Sequence, residues 1–350
     1  KPTDGDITMG DKAEDPTDWA PGQPPPTLAS RGYEYVPGPT GDRSDWVLRK
    51  IADGTPFAFE SQQKYDAVGA AVGVWLKERL VSLCGLEPLA DVVPPATLYA
   101  TPGVRASAAP LLLLVCGSAP GGDAGMWGRS LCINDSTQRG AMFDYIFRAI
   151  AAGWGVVVAD PHGAAGAADA PPGGPRDHLP SVWRGLIAHC AAERVLIVAH
   201  SAGGALTCAL FKGAPECRAR VAAVAFTDAS FDPPPHPYPD DFERHAIMFA
   251  SVGRNFEASR EPLGAIVDAV EERMVNVSAG HESHPATTHA ATAAVFEFLR
   301  QGAAGRAAVA NDELRVEDQL KHLPASVIGA VERKSFDGSG LAFDGSGLAD

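Results

Sequence analysis

No apolar run in this 350-residue chain reaches the roughly 18–20 residues that a membrane-crossing helix needs. The longest, such as "PLLLLVCG", have the length of a strand, so no membrane span is expected. Basic residues are also few. Lys and Arg number 29 against 43 Asp and Glu, a formal charge of −14. That balance lacks the clustered cations that phosphate contacts demand, and direct nucleic-acid binding is not expected. An RNA-linked role through protein partners is left open. Cysteine is sparse and shows no C-x-x-C pair: Cys84, Cys116, Cys132, Cys190, Cys208 and Cys217. In so long a chain they read as buried free thiols of a reducing intracellular compartment, whether cytoplasm, nucleus or organelle matrix. The chain opens at Lys1 rather than Met, and no targeting segment is visible.

Composition divides what is present into three parts. Residues 1–30 are acidic and proline-rich ("EDPTDWAPGQPPPT"), poor in the apolar surface that folding buries, and are expected to be extended. Residues 31–302 carry the globular domain. Residues 303–350 form a polar tail ending in the tandem repeat "FDGSGLAFDGSGLA".

Within 31–302, "RGYEYVPG" and "TPFAF" read as short strands, and "QKYDAVGAAVGVWLKERLVSLCG" as a helix closed by glycine. From Pro110 onward, strands alternate with helices. "LLLLVCG", "WGVVVADP", "RVLIVAH", "RVAAVAFTD" and "RMVNVSAGH" are nearly continuous apolar strands, separated by segments of helical periodicity. Such strands have both faces buried. The pattern predicts an α/β fold, a doubly wound and mostly parallel sheet with helices on both faces. A Gly/Ala-rich insertion follows "ADP", and the proline-rich "DPPPHPYPDD" (232–241) stands where such folds place lid elements.

The chemistry centres on Ala199-His200-Ser201-Ala202-Gly203-Gly204, between a strand and a helix. It approximates G-x-S-x-G, with Ala at the first glycine. In such an elbow the serine sits on a strained turn that only small neighbours allow. A serine hydroxyl needs a base, and the base an orienting acid. Downstream, "SAGHESHPATTH" offers His281, His284 and His289, and the acid is Asp228 or Glu261. The oxyanion donors would be the backbone N–H of Ala202 and of Ser118 or Ala119. Trp127, Arg129 and His200 are candidate pocket walls; the plainer alternative is a Trp packed under a loop and an Arg paired with an Asp. The histidines lack a helical pair with a carboxylate base, and the glycine-rich 117–125 stretch lacks a phosphate-loop Lys. Neither metal nor cofactor is expected.

"LLLLVCGSAPGGDAGMWGRSLCIND", "FDYIFRAIAAGWGVVVADP", "RVLIVAHSAGG", "VAAVAFTDAS", "NFEASREPLG" and "VSAGHESH" together resemble the Argonaute-binding-protein-two (Arb-two) domain family, in the same order from about residue 31 to 302. The resemblance implies an α/β-hydrolase-like fold, a serine at Ser201, and a histidine that falls on His284 rather than His281. It matches Asp228 to the family's "TD" and Glu261 to its acid before "PL". Its members are known mostly as partners in RNA silencing, chromatin regulation and splicing, and the domain also occurs appended to histone deacetylases. Hydrolysis there is largely an inference. Two departures stand out: Cys116 replaces a common His, and Ala202 a common aromatic.

Two readings follow. One is a serine hydrolase acting on a small ester, thioester or amide substrate through Ser201, His284 and Asp228 or Glu261. The alternative is a catalytically silent hydrolase-fold scaffold that binds protein partners in a larger complex.

Overall fold

The computed structural model describes residues 27–118, 124–163, 174–230, 252–268 and 275–305. Most of the amino-terminal segment, the repeat-bearing tail, "DPPPHPYPDD" and much of the Gly/Ala-rich insertion lie outside the described residues. A two-stranded antiparallel sheet pairs β1 (Tyr33–Pro37) with β2 (Trp46–Lys50). The central sheet contains β3 (Glu87–Val93), β4 (Ala96–Ala100), β5 (Leu111–Val115), β6 (Gly155–Val158), β7 (Val195–His200), β8 (Val221–Thr227), β9 (Gly253–Glu257), β10 (Ile266–Asp268) and β11 (Val275–Ser278). Their order is β10-β11-β9-β8-β7-β5-β6-β4-β3. The six strands from β6 to β11 in that order are parallel, while β10, β4 and β3 add antiparallel edges. This is the α/β-hydrolase-like sheet that the sequence predicts.

Helices α1 (Gln62–Ser82), α2 (Arg129–Asn134), α3 (Thr137–Gly140), α4 (Phe143–Ala151), α5 (Pro175–Gly185), α6 (Gly203–Gly213), α7 (Thr287–Ala290) and α8 (Thr292–Ala303) flank it. Successive strand side chains point to opposite faces. Leu112 and Leu114 of β5 therefore pack with Val72 of α1, Ile146 of α4 and Phe296 of α8. Leu111, Leu113 and Val115 pack with Val182 of α5 and Leu210 of α6 on the other face. Each leucine buried this way contributes about 2 kcal/mol, and every residue of β5, β6 and β7 is buried, which is why they read as unbroken apolar runs.

"TPFAF" is not a strand. Only Pro56 makes an isolated bridge, to Arg49, and of the segment only Phe57 is buried. Proline removes a ladder donor, and alternation over so few residues is a weak signal. The segment "GRNFE", which precedes Glu261, forms β9. None of the six cysteines is in a disulfide, and five of them are buried. Among the described residues, no helix is long and apolar enough to cross a membrane.

The chain leaves β5 toward β6 on one side, then crosses to β7 on the other. The crevice between the carboxyl ends of β5 and β7 is thus a topological switch point, where open α/β sheets bind ligands. Gly117 follows β5 there, and Ser201 follows β7.

Candidate active site

Two residues turn β7 into α6. The first, Ser201, has φ of 52°, in the left-handed region that a side-chain-bearing residue rarely occupies. Close packing enforces the turn. A Cβ on Gly203 would stand 2.8 Å from the Cys116 carbonyl oxygen, and one on Gly117 would stand 3.0 Å from the Ser201 Cβ. The Ser201 N–H donates to the Thr227 carbonyl, and the Ser201 carbonyl accepts from the Ser230 N–H, which fixes the serine to the end of β8. Ala199, at the first glycine of the consensus, is buried in the α5–α6 core, where its methyl is accommodated.

The Ser201 Oγ lies 3.0 Å from Nε2 of His284, and Nδ1 of the same ring lies 2.5 Å from Oδ2 of Asp228. The carboxylate can only accept, so Nδ1 carries the proton and Nε2 is free to accept from the serine. Asp228 also has positive φ, 47°, and its Oδ1 accepts from the Ala258 N–H at 3.0 Å. Burial alone would raise its pKa, but the bonds from His284 and Ala258 outweigh it and hold the group below the usual carboxylate range. Glu261, the alternative acid, is exposed beyond β9, and its backbone bonds Ser259 and Ser278. His281 accepts from the Ser283 N–H, and His289 is half-buried on α7, its pKa lowered by burial. Of the three histidines, the geometry brings His284 to the serine.

A cleft of about 320 Å³ opens on this cluster, lined among others by Gly117, Ser118, Trp127, Arg129, His200 and Ser201. All three expected pocket residues thus face it. The plainer alternative also holds in part, because Arg129 pairs with Asp66 at 3.2 Å and rests on the Tyr65 ring. Trp127 is buried edge-on to Tyr145 and His200. Ala202 is the N-cap of α6, where the N–H groups have no helical acceptor, and Ser118 lines the cleft. Ala119 lies outside the described residues. Among those residues, no three His, Cys, Asp or Glu side chains group as metal ligands.

Sequence reasoning missed the supports. The His200 Nδ1 lies 2.9 Å from the Thr227 carbonyl oxygen and 3.0 Å from Thr288 Oγ1, and the two threonine hydroxyls meet at 2.7 Å. These bonds tie the His284 loop to the ends of β7 and β8. They join residues 27 to 88 positions apart, and no local spacing announces them.

No family model matches the chain. A FAM172 family protein homolog of Caenorhabditis elegans is 30% identical over 270 residues, covering 72% of this chain and 82% of the relative. Cotranscriptional regulator ARB2A of Mus musculus is 24% identical over 380 residues, covering 85% of this chain and 86% of that protein. Among solved structures, the histone deacetylase Clr3 overlays 71% of this chain and 40% of its own at 9% identity, with a TM-score of 0.43. Identity at this level, spread over most of both sequences, places the chain in a family: it belongs to the FAM172 family, whose ARB2A relatives carry the Arb-two resemblance read from the sequence.

Proposed function

We propose that Ser201, His284 and Asp228 act as a serine-hydrolase triad that transfers an acyl group from an ester, thioester or amide to water. The supporting observation is the pair of contacts on one imidazole, 3.0 Å to the serine and 2.5 Å to the aspartate. His284 takes the Ser201 proton as Oγ attacks the carbonyl carbon, and Asp228 stabilises the imidazolium that forms. The N–H groups of Ala202 and Ser118 receive the developing oxyanion. The imidazolium then protonates the leaving group. Water, deprotonated by His284, hydrolyses the acyl-serine. A small acyl group suits a cleft of about 320 Å³. The test is covalent labelling of the purified chain by a fluorophosphonate, beside Ser201→Ala and His284→Ala. Labelling that both variants abolish supports the triad; a folded wild-type chain that takes no label overturns it.

A second reading is favoured by the relatives rather than by the site. Several are named cotranscriptional regulators, so this chain would act in transcription through protein partners, with the hydrolase fold as scaffold. Ser201→Ala complementing a deletion as well as wild type would support it.

A further inference from the structure

His162 follows β6, and its Nε2 lies 3.0 Å from the carbonyl oxygen of Gly117. A carbonyl only accepts, so Nε2 carries the proton and donates. The sheet order puts β5 between β6 and β7, so at its carboxyl end Gly117 has His162 on one side and Ser201 on the other. In a planar trans peptide the C=O of one residue and the N–H of the next point in opposite directions. A Gly117 carbonyl held toward β6 therefore turns the Ser118 N–H toward β7 and the serine. Gly117 is close enough for this to matter, since a Cβ built on it would stand 3.0 Å from Ser201 Cβ.

We propose that His162 is a positioning residue that sets one oxyanion donor, its Nε2–H fixing the Gly117–Ser118 peptide so that the Ser118 N–H faces Ser201. The inference rests on the triad reading above and adds to it the residue that orients the hole. The His162 turn is itself held firmly. Asp160, buried two residues earlier, meets Lys77 Nζ at 2.9 Å, and its backbone N–H donates to His178 Nε2 at 3.2 Å. The Asp160 carbonyl accepts from the Gly163 N–H at 3.1 Å, closing the turn around His162. A Cβ on Gly163 would stand 2.4 Å from the Asp160 carboxylate, so glycine is needed there.

The test compares wild type, His162→Ala and His162→Gln, the last retaining an N–H donor. The second-order rate of fluorophosphonate labelling, whose phosphoryl oxygen enters the oxyanion hole, is expected to fall about ten- to hundredfold in His162→Ala. In His162→Gln it should recover to within a few-fold. A readout independent of turnover is the Gly117 carbonyl ¹³C resonance, which should move upfield in His162→Ala and return in His162→Gln. An unmoved resonance overturns the proposal, as does labelling of His162→Ala at the wild-type rate, or equal loss in both variants. A wild-type chain that takes no label refutes the hydrolase reading instead, and the carbonyl resonance still decides whether His162 holds the peptide.

Discussion

The imidazole of His200 lies against that of His284, ring centres 4.9 Å apart and planes 29° from parallel. His200 is the buried member, its Nδ1 bonded to the Thr227 carbonyl at 2.9 Å. Burial, and after it the nearby His284, pushes its pKa down to about 4. His178, buried beside Asp160, is pushed down to about 4 by the same cause. Both rings are therefore neutral at pH 7.

That neutrality makes stability depend on pH. An unfolded histidine titrates near 6.5, so between about 6.5 and 4 the unfolded chain binds protons that the folded chain refuses. Stability is then full above pH 6.5 and falls as pH drops toward 4, by up to about 3 kcal/mol for each histidine. Urea unfolding between pH 7.5 and 4.5 should show this decline. In His200→Phe the loss should be smaller across that window, although losing the buried bonds costs about 1–2 kcal/mol at pH 7.5. An acid slope identical in the variant would refute the assignment to His200.

The two candidate acids separate cleanly by substitution. Asp228→Asn keeps the shape but removes the charge that orients and stabilises His284, so labelling should fall about 10³–10⁴-fold. Glu261→Gln, exposed beyond β9, should label like wild type. The rate of probe attachment to the two variants, measured side by side, decides. Loss in the glutamine variant with none in the asparagine variant would reverse the roles.

This choice marks where sequence reasoning ends. The strands around Ser201 were legible because each is buried on both faces and reads as an unbroken apolar run. Edge strand β3 was not: Glu87, Pro88 and Asp91 are exposed, and only Val93 is buried. Ser201 was legible because its small neighbours are written locally as Ala202-Gly203-Gly204. Asp228 and Glu261 could not be ranked, because the ranking depends on the positive φ that turns Asp228 back toward a histidine 56 positions away. The same holds for Asp66 beside Arg129 and His162 beside Gly117. Each pairing is made by sheet order or helix packing, which no window of sequence contains.

Gly203 tests the close passage of the elbow against β5. A Cβ there would meet backbone oxygens of Cys116 and Val115 at 2.8 and 3.0 Å, and backbone cannot swing aside as a side chain can. Gly203→Ala should therefore destabilise the fold by about 1–3 kcal/mol despite the better helix propensity of alanine. It should also slow labelling by moving Ala202 and Ser201. A melting temperature equal to or above that of wild type would show that the two strand ends have room to part.

Ser201 itself carries the strain of the turn. At φ of 52° its Cβ crowds the backbone, a conformation that costs an L-residue about 1–2 kcal/mol and glycine almost nothing. Ser201→Ala removes the hydroxyl and keeps the Cβ; Ser201→Gly removes both. Neither variant can take the probe, so thermal unfolding can compare them without any contribution from chemistry. Glycine gains more freedom in the unfolded chain, which offsets part of the relief. The net expectation is that Ser201→Gly is more stable than Ser201→Ala by about 1 kcal/mol. That is the reverse of the usual order for the two residues in an ordinary strand or helix. An alanine variant as stable as the glycine one would mean that the elbow relaxes once the hydroxyl is gone. The left-handed turn would then depend on the bond between Ser201 and His284 rather than on the packing of Gly117 and Gly203.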